Sequence, residues 1–143
     1  MRFFISKNLL RGGFLQCQHL TDAISEHSRM TLDYFYGQAG ELFSFYRIPK
    51  ALFQEPRFQS LSTNAKTLYG ILLDRMSLSA KNGWLDEQGR VFIIFTIEDV
   101  KRALCCADNK ATKLLRELEE FGLIERKRRG LGKPSLVYVK NFS

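Results

Sequence analysis

Apolar residues recur every three to four positions through the middle of the chain: Leu61, Ala65, Leu68, Leu72 and Met76, with Tyr69 and Leu73 widening the stripe. That period predicts an amphipathic helix. Ser62, Thr63 or Asn64 can cap its start, because each offers a side-chain oxygen to an otherwise unpaired first-turn N–H. Lys81-Asn82-Gly83 closes the pattern with turn chemistry. Trp84-Leu85, the turn run Asp86-Glu87-Gln88-Gly89 and then Val91-Phe92-Ile93-Ile94-Phe95 read as a hairpin whose second strand is buried.

Helical periodicity then returns twice. Thr96 with Asp99 three residues on resembles a capping box, with Asp in place of the longer Glu. It opens a short helix from Ile97 to about Leu104. After a break at Cys105-Cys106, a second helix runs from about Asp108 to Phe121, with Ala111, Leu114, Leu115, Leu118 and Phe121 on its apolar face. Gly122 stands where a left-handed C-terminal cap wants glycine. The chain ends in a second hairpin: Leu123 to Arg128 leads into Gly130-Leu131-Gly132-Lys133-Pro134, and Leu136-Val137-Tyr138-Val139 returns as a β-rich run. Helix, strand, short helix, turn, helix and hairpin is the order of a winged helix-turn-helix. The predicted fold class is therefore α+β, mainly helical, with an N-terminal extension.

Ahead of this block the pattern is weaker. Residues 1–29 hold scattered apolar residues and Gly12-Gly13 with no sustained period, and Met30 opens a segment of different texture. We read 1–29 as an upstream extension, 30–60 as an aromatic N-terminal segment and connection, and 61–142 as the winged-helix domain. Tyr34, Phe35, Tyr36, Phe43, Phe45 and Tyr46 crowd into residues 34–46, suited to packing on the domain or on a second subunit. Pro49 and Pro56 mark residues 47–60 as irregular, with a helical turn between the prolines.

Charge turns this outline toward a ligand. Lys and Arg number 22 against 15 Asp and Glu, a net charge of +7, which favours a polyanionic partner. The excess is concentrated: over residues 123–143, Arg126, Lys127, Arg128, Arg129, Lys133 and Lys140 face Glu125 alone, giving +5. A cationic hairpin tip suits phosphate or minor-groove contact. In the second helix of the tight pair, commitment of Ala111, Leu114, Leu115 and Leu118 to the core leaves Asn109, Lys110, Thr112, Lys113 and Arg116 opposite. Asn can pair bidentately with adenine, and Lys or Arg can reach guanine. The candidate DNA-binding residues are thus Asn109, Lys110, Thr112, Lys113, Arg116, Arg126, Lys127, Arg128, Arg129 and Lys133. A bland alternative for the helix is a solvated face with pairs such as Lys113–Glu117.

Other chemistry finds little support. Gly130 to Pro134 lacks the first glycine and the Ser or Thr of a phosphate-binding loop. Cys17-Gln18-His19 with His27 has no second cysteine pair to complete a zinc site, so neither a metal nor a cofactor is expected. Cys17, Cys105 and Cys106 are an odd set with no disulfide spacing, and a reducing compartment is the simpler reading. The apolar run at the N-terminus is too short for a signal peptide, and no run reaches membrane-spanning length, so a cytoplasmic location is expected. No carboxylate pair or Ser/His/Asp arrangement suggests an enzyme.

From Phe45 to Phe142 the chain resembles the RepA N-terminal family of plasmid replication initiators from Gram-positive bacteria. The residues that carry the likeness are Phe45 to Phe53, Leu61 to Gly70, Leu73 to Ser79, Asn82-Gly83-Trp84, Gly89-Arg90-Val91, Leu118 to Arg126, Gly130 to Pro134 and Tyr138 to Phe142. The resemblance implies a winged helix that binds repeated origin sites, often as a dimer, using the second helix of the motif and the wing. It also implies that the aromatic segment at 33–46 helps subunits associate, and that a separate C-terminal domain contacts the host. Two positions depart from the family pattern: Cys105 replaces a glycine, and Ala107 replaces a capping Ser. The sequence stops just after the wing, so host contacts are not expected of it. A winged-helix transcriptional regulator, or a module binding an acidic protein, would share this pattern.

Overall fold

A computed structural model describes residues 31–37 and 43–143; the expected extension over 1–29 lies outside the described residues. The chain divides into two units, Met1–Phe45 and Tyr46–Ser143. In the first, Tyr34, Phe35, Tyr36, Phe43 and Phe45 are exposed. Phe43 stands edge-on to Phe35 and to Phe45, with ring centroids 5.7 and 6.4 Å away.

The second unit begins with a four-residue helix α1 (Ala51–Gln54) and a 3₁₀ turn at Pro56–Phe58. Its long helix is α2 (Thr63–Lys81). Then come β1 (Ile93–Ile94), α3 (Ile97–Leu104), α4 (Asp108–Glu120), β2 (Ile124–Lys127) and β3 (Leu136–Val139). Pro49 and Pro56 bound α1, as residues that start helices but cannot continue them. Leu52 and Phe58 are buried, so this connection contributes to the core. Ser62 is the cap of α2: its Oγ accepts from the Ala65 N–H at 3.2 Å. At Gly70 a Cβ would come within 2.7 Å of Ile48 Cγ1 and 3.2 Å of the Arg47 carbonyl oxygen, so only glycine lets that strap cross α2 so closely.

The three strands form one antiparallel sheet in the order β1-β3-β2. Ile124 pairs with Val139 and Lys127 with Leu136, while Ile93 pairs with Val137. The buried residues of the sheet, Ile93, Ile124 and Val137, join Leu68 and Leu72 of α2, Val100 of α3, and Leu114, Leu115 and Leu118 of α4 in one core. Burial of this apolar area, at about 25 cal/mol per Å², is what holds the short α3 in place. On its own a helix of eight residues would not persist in water.

The expected hairpin over residues 84–95 forms in a short version, with Asp86 N–H donating to the Arg90 carbonyl at 3.0 Å and Phe92 N–H to the Trp84 carbonyl at 3.2 Å. Leu85 and Val91 form a single bridge, and the buried strand contracts to Ile93–Ile94, whose partner is β3. The reason lies in the connecting turn. Asp86 accepts backbone N–H bonds from Gln88 and Arg90 at 2.9 and 2.8 Å, and a side-chain bond from Arg90 at 2.8 Å. This tight loop places Arg90 over the Tyr138 ring, 4.7 Å from its centroid, so the segment is anchored on β3. Desolvation opposes the charge on Asp86, yet the Arg90 and Gln88 donors together bring its carboxyl down to about 2.

The chain end is anchored in the core as well. The buried Tyr69 of α2 donates its hydroxyl to the Lys140 carbonyl at 2.6 Å, and its ring meets Phe142 edge-on. Burial pushes the Tyr69 phenol up to about 12.

Candidate nucleic-acid interface

The expected capping box forms at the start of α3. Thr96 Oγ1 accepts from the Asp99 N–H at 3.2 Å, and the Asp99 carboxylate accepts from the Thr96 N–H at 2.8 Å. The shorter Asp serves because its carboxylate sits directly over the cap. At the far end Cys105 adopts a left-handed conformation (φ 48°, ψ 51°). Only glycine reaches that region without strain, which accounts for the glycine in the family pattern. Cys106 keeps a free thiol against the core.

A three-residue turn leads into α4. Its cap, Ala107, is extended (φ −78°, ψ 165°) and has no side-chain bond to give. A cross-helix ion pair ties the two helices instead: Lys101 Nζ of α3 lies 3.0 Å from Glu98 and 2.5 Å from Asp108, the first residue of α4. Asp108, and after it Glu98, raise the Lys101 ammonium above its ordinary value. Asp108 also suits the positive end of the helix dipole.

Helix α4 has two unlike halves. Ala111, Leu114, Leu115 and Leu118 are buried, and Asn109, Lys110, Lys113 and Arg116 are exposed, with Thr112 half-buried beside them. Toward the C-terminus the carboxylates turn to neighbouring elements. Glu117 accepts from Ser62 N–H at 2.6 Å and Ser62 Oγ at 2.9 Å, so α4 helps cap α2. That contact replaces the Lys113–Glu117 pair of the bland reading. Glu119 accepts from Arg126 Nη2 at 2.5 Å, which joins α4 to β2 and holds the Glu119 carboxyl below its ordinary value.

The wing is the β2–β3 connection. Lys127, Arg128, Arg129 and Lys133 are exposed on it. Its tip is closed by Arg129 Nε donating to the Pro134 carbonyl at 2.9 Å, and Gly130 and Gly132 supply positive φ (101° and 76°). Arg126 differs from its neighbours. It is half-buried, engaged with Glu119, and its Nε has no partner among the described residues.

The predicted residues thus fall into two groups. Asn109, Lys110, Thr112, Lys113 and Arg116 share the outward side of α4, and Lys127, Arg128, Arg129 and Lys133 share the wing. Arg126 is set apart by its latch to Glu119. Among the described residues Lys110, Lys113, Arg116, Lys127, Arg128, Arg129 and Lys133 form no ion pair, seven of the eight basic candidates; of the ten other basic residues Arg57, Arg90, Lys101, Arg102 and Lys140 are paired, and Arg47, Lys50, Lys66, Arg75 and Lys81 are not. Periodicity did not reveal the latches of Glu117 and Glu119, because it shows which face a residue occupies and not which neighbour it meets. Among the described residues no group of His, Cys, Asp and Glu side chains is placed to hold a metal ion, and no helix is long and apolar enough to cross a membrane.

Comparison with known proteins places this arrangement. Residues 44–143 match the family model of the replication initiator protein A (RepA) N-terminus. A solved structure described as the N-terminal domain of a DNA binding protein is 38% identical, with a TM-score of 0.64 over 78% of this chain and 85% of that one. The structure of a Rep-DNA complex is likewise 38% identical (TM-score 0.64, 76% and 84% covered). That of an MDR initiator is 37% identical (TM-score 0.62, 76% and 86%). A 41 kDa protein of Lactobacillus helveticus is 31% identical over 86 residues, 60% of this chain and 24% of that protein. The chain therefore spans about a quarter of that relative's length. With its winged helix and this match over most of its length, the chain belongs to the replication initiator protein A N-terminal family.

Proposed function

We propose that this domain binds double-stranded DNA at repeated sites of a plasmid replication origin, as the N-terminal part of a replication initiator. The observation that carries the reading is the set of unpaired cations on α4 and the wing. Elsewhere the described domain pairs five of its ten basic residues with carboxylates; on α4 and the wing it pairs only Arg126 of eight. The 38% identity to the protein of a Rep-DNA complex supports the same reading.

In this mechanism α4 enters the major groove with its N-terminal half first. Asn109, Lys110, Lys113 and Arg116 meet base edges, Asn through adenine and the cations through guanine, with Thr112 beside them. Lys127, Arg128, Arg129 and Lys133 take phosphates and fix the register. Arg126 acts through Glu119, holding β2 against α4. No covalent chemistry is assigned to this domain, and it works in the cytoplasm with its DNA. Two copies associate through the aromatic segment at 33–46, whose exposed rings favour burial against a second subunit, and the pair matches two half-sites.

Fluorescence-anisotropy titration of labelled duplexes, origin repeats against a scrambled control, tests the reading. Tighter binding to the repeats, with the preference abolished in Lys113→Ala, is the expected result. Equal weak binding to both duplexes would refute origin recognition.

A further inference from the structure

Leu131 stands at the tip of the wing with a relative exposure of 104%, the largest among the exposed apolar side chains of the described residues. Single exposed leucines are ordinary, but the setting of this one is not. Glycines with positive φ flank it on both sides, and the Arg129–Pro134 bond closes the loop beneath it. The loop therefore holds Leu131 outward on a constrained turn, so little ordering is left to be done on binding. Arg128 and Lys133, exposed and without ion pairs, stand on the two sides of the turn. An apolar point between two cations is the chemistry of a side chain that enters a DNA minor groove: the cations take the phosphate walls, and the apolar group meets sugar and base edges or wedges between base steps.

We propose that Leu131 is an apolar minor-groove contact, inserted by the wing next to the major-groove site of α4. The proposal rests on the DNA-binding reading above and adds a specificity element to it. A wedge favours flexible pyrimidine–purine steps, which unstack at low cost, so Leu131 contributes selectivity without any hydrogen bond.

The test compares wild type, Leu131→Ala and Arg128→Ala on an origin-repeat duplex carrying 2-aminopurine at positions stepped across the site. Because Leu131 touches nothing in the core, the alanine variant keeps its circular dichroism spectrum and thermal midpoint. Leu131→Ala is expected to bind roughly tenfold more weakly, on the scale of one buried leucine side chain. Its salt dependence stays that of wild type, and the 2-aminopurine brightening at the wing-proximal step disappears. Arg128→Ala, by contrast, lowers the salt slope by about one. Unchanged affinity and fluorescence in Leu131→Ala, with wild type binding the repeats, would overturn the wedge and leave the DNA-binding reading standing. A wild type that binds no duplex would remove both.

Discussion

The two halves of α4 show how one helix can serve both the fold and a ligand. In the C-terminal half two of the three carboxylates face protein: Glu117 bonds Ser62 at the start of α2, and Glu119 bonds Arg126 of β2, while Glu120 is exposed. In the N-terminal half Lys110 and Lys113 face solvent with no carboxylate in ion-pair range. A helix whose purpose was stability would pair those lysines with acids four residues away, gaining a few tenths of a kcal/mol for each pair. Here the nearest such acid, Glu117, is turned to α2. Unpaired charge gathered on one helix half and one hairpin is a better guide to a polyanion site than net charge.

If the halves are separate in this way, substitutions should separate them. Glu117→Ala is the largest expected effect. It removes the acceptor of two charge-assisted bonds to Ser62, and urea unfolding should show a loss of about 2 kcal/mol. The salt slope of DNA binding should stay unchanged, because no phosphate contact is lost. A stable Glu117→Ala domain with an altered slope would place this half in the interface. At the other end, Ala107→Ser supplies the side-chain acceptor that the cap of α4 lacks. A gain of about 1 kcal/mol is expected, readable as a higher thermal midpoint.

A subtler split lies in pH. The Arg126 hydrogen bond lowers the folded Glu119 carboxyl below its ordinary 4.5. The unfolded chain therefore takes up a proton there before the folded one does. The resulting stability is fully present above the unfolded value and is lost as pH falls through the folded one. Glu119→Gln should flatten the acid limb of the stability profile and leave the region near pH 7 nearly level with that of Arg126→Gln. An acid limb identical to wild type would mean that the latch is not formed in solution. Smallest of all, Arg102→Ala breaks only a 3.8 Å pair with Asp99 on an exposed part of α3. Less than about 0.5 kcal/mol should be lost in urea unfolding.

Much of the fold was legible because local rules decide it. The periodic stripe of α2, the Thr96–Asp99 box and the left-handed Gly122 (φ 72°) after α4 are all set by neighbours within a few residues. So was the wing, where glycines sit between basic strand ends. In the 84–95 segment the turn is legible locally, but the pairing of Ile93 and Ile94 with β3, more than forty residues on, has no local pattern to announce it. At the candidate site the outward residues of α4 followed from which positions the core claims. Arg126 looked like its basic neighbours in the run, and its tie to Glu119 depends on how α4 packs beside β2. Cys105 and Ala107 mark where the sequence departs from the usual turn chemistry while packing and the Lys101–Asp108 pair keep the geometry.

If the unpaired cations of α4 and the wing, and not positive charge in general, form the DNA-binding surface, then removing equal charge at two places must have unequal effects. Two double variants that remove equal charge test it most directly: Arg128→Ala/Lys133→Ala on the wing, and Arg57→Ala/Arg102→Ala among the paired cations. Affinity for an origin-repeat duplex would be measured across salt concentrations. The account predicts that the wing variant lowers the slope of log K against log salt by about two, and that the paired-cation variant leaves it unchanged. Equal slopes in both variants would contradict it.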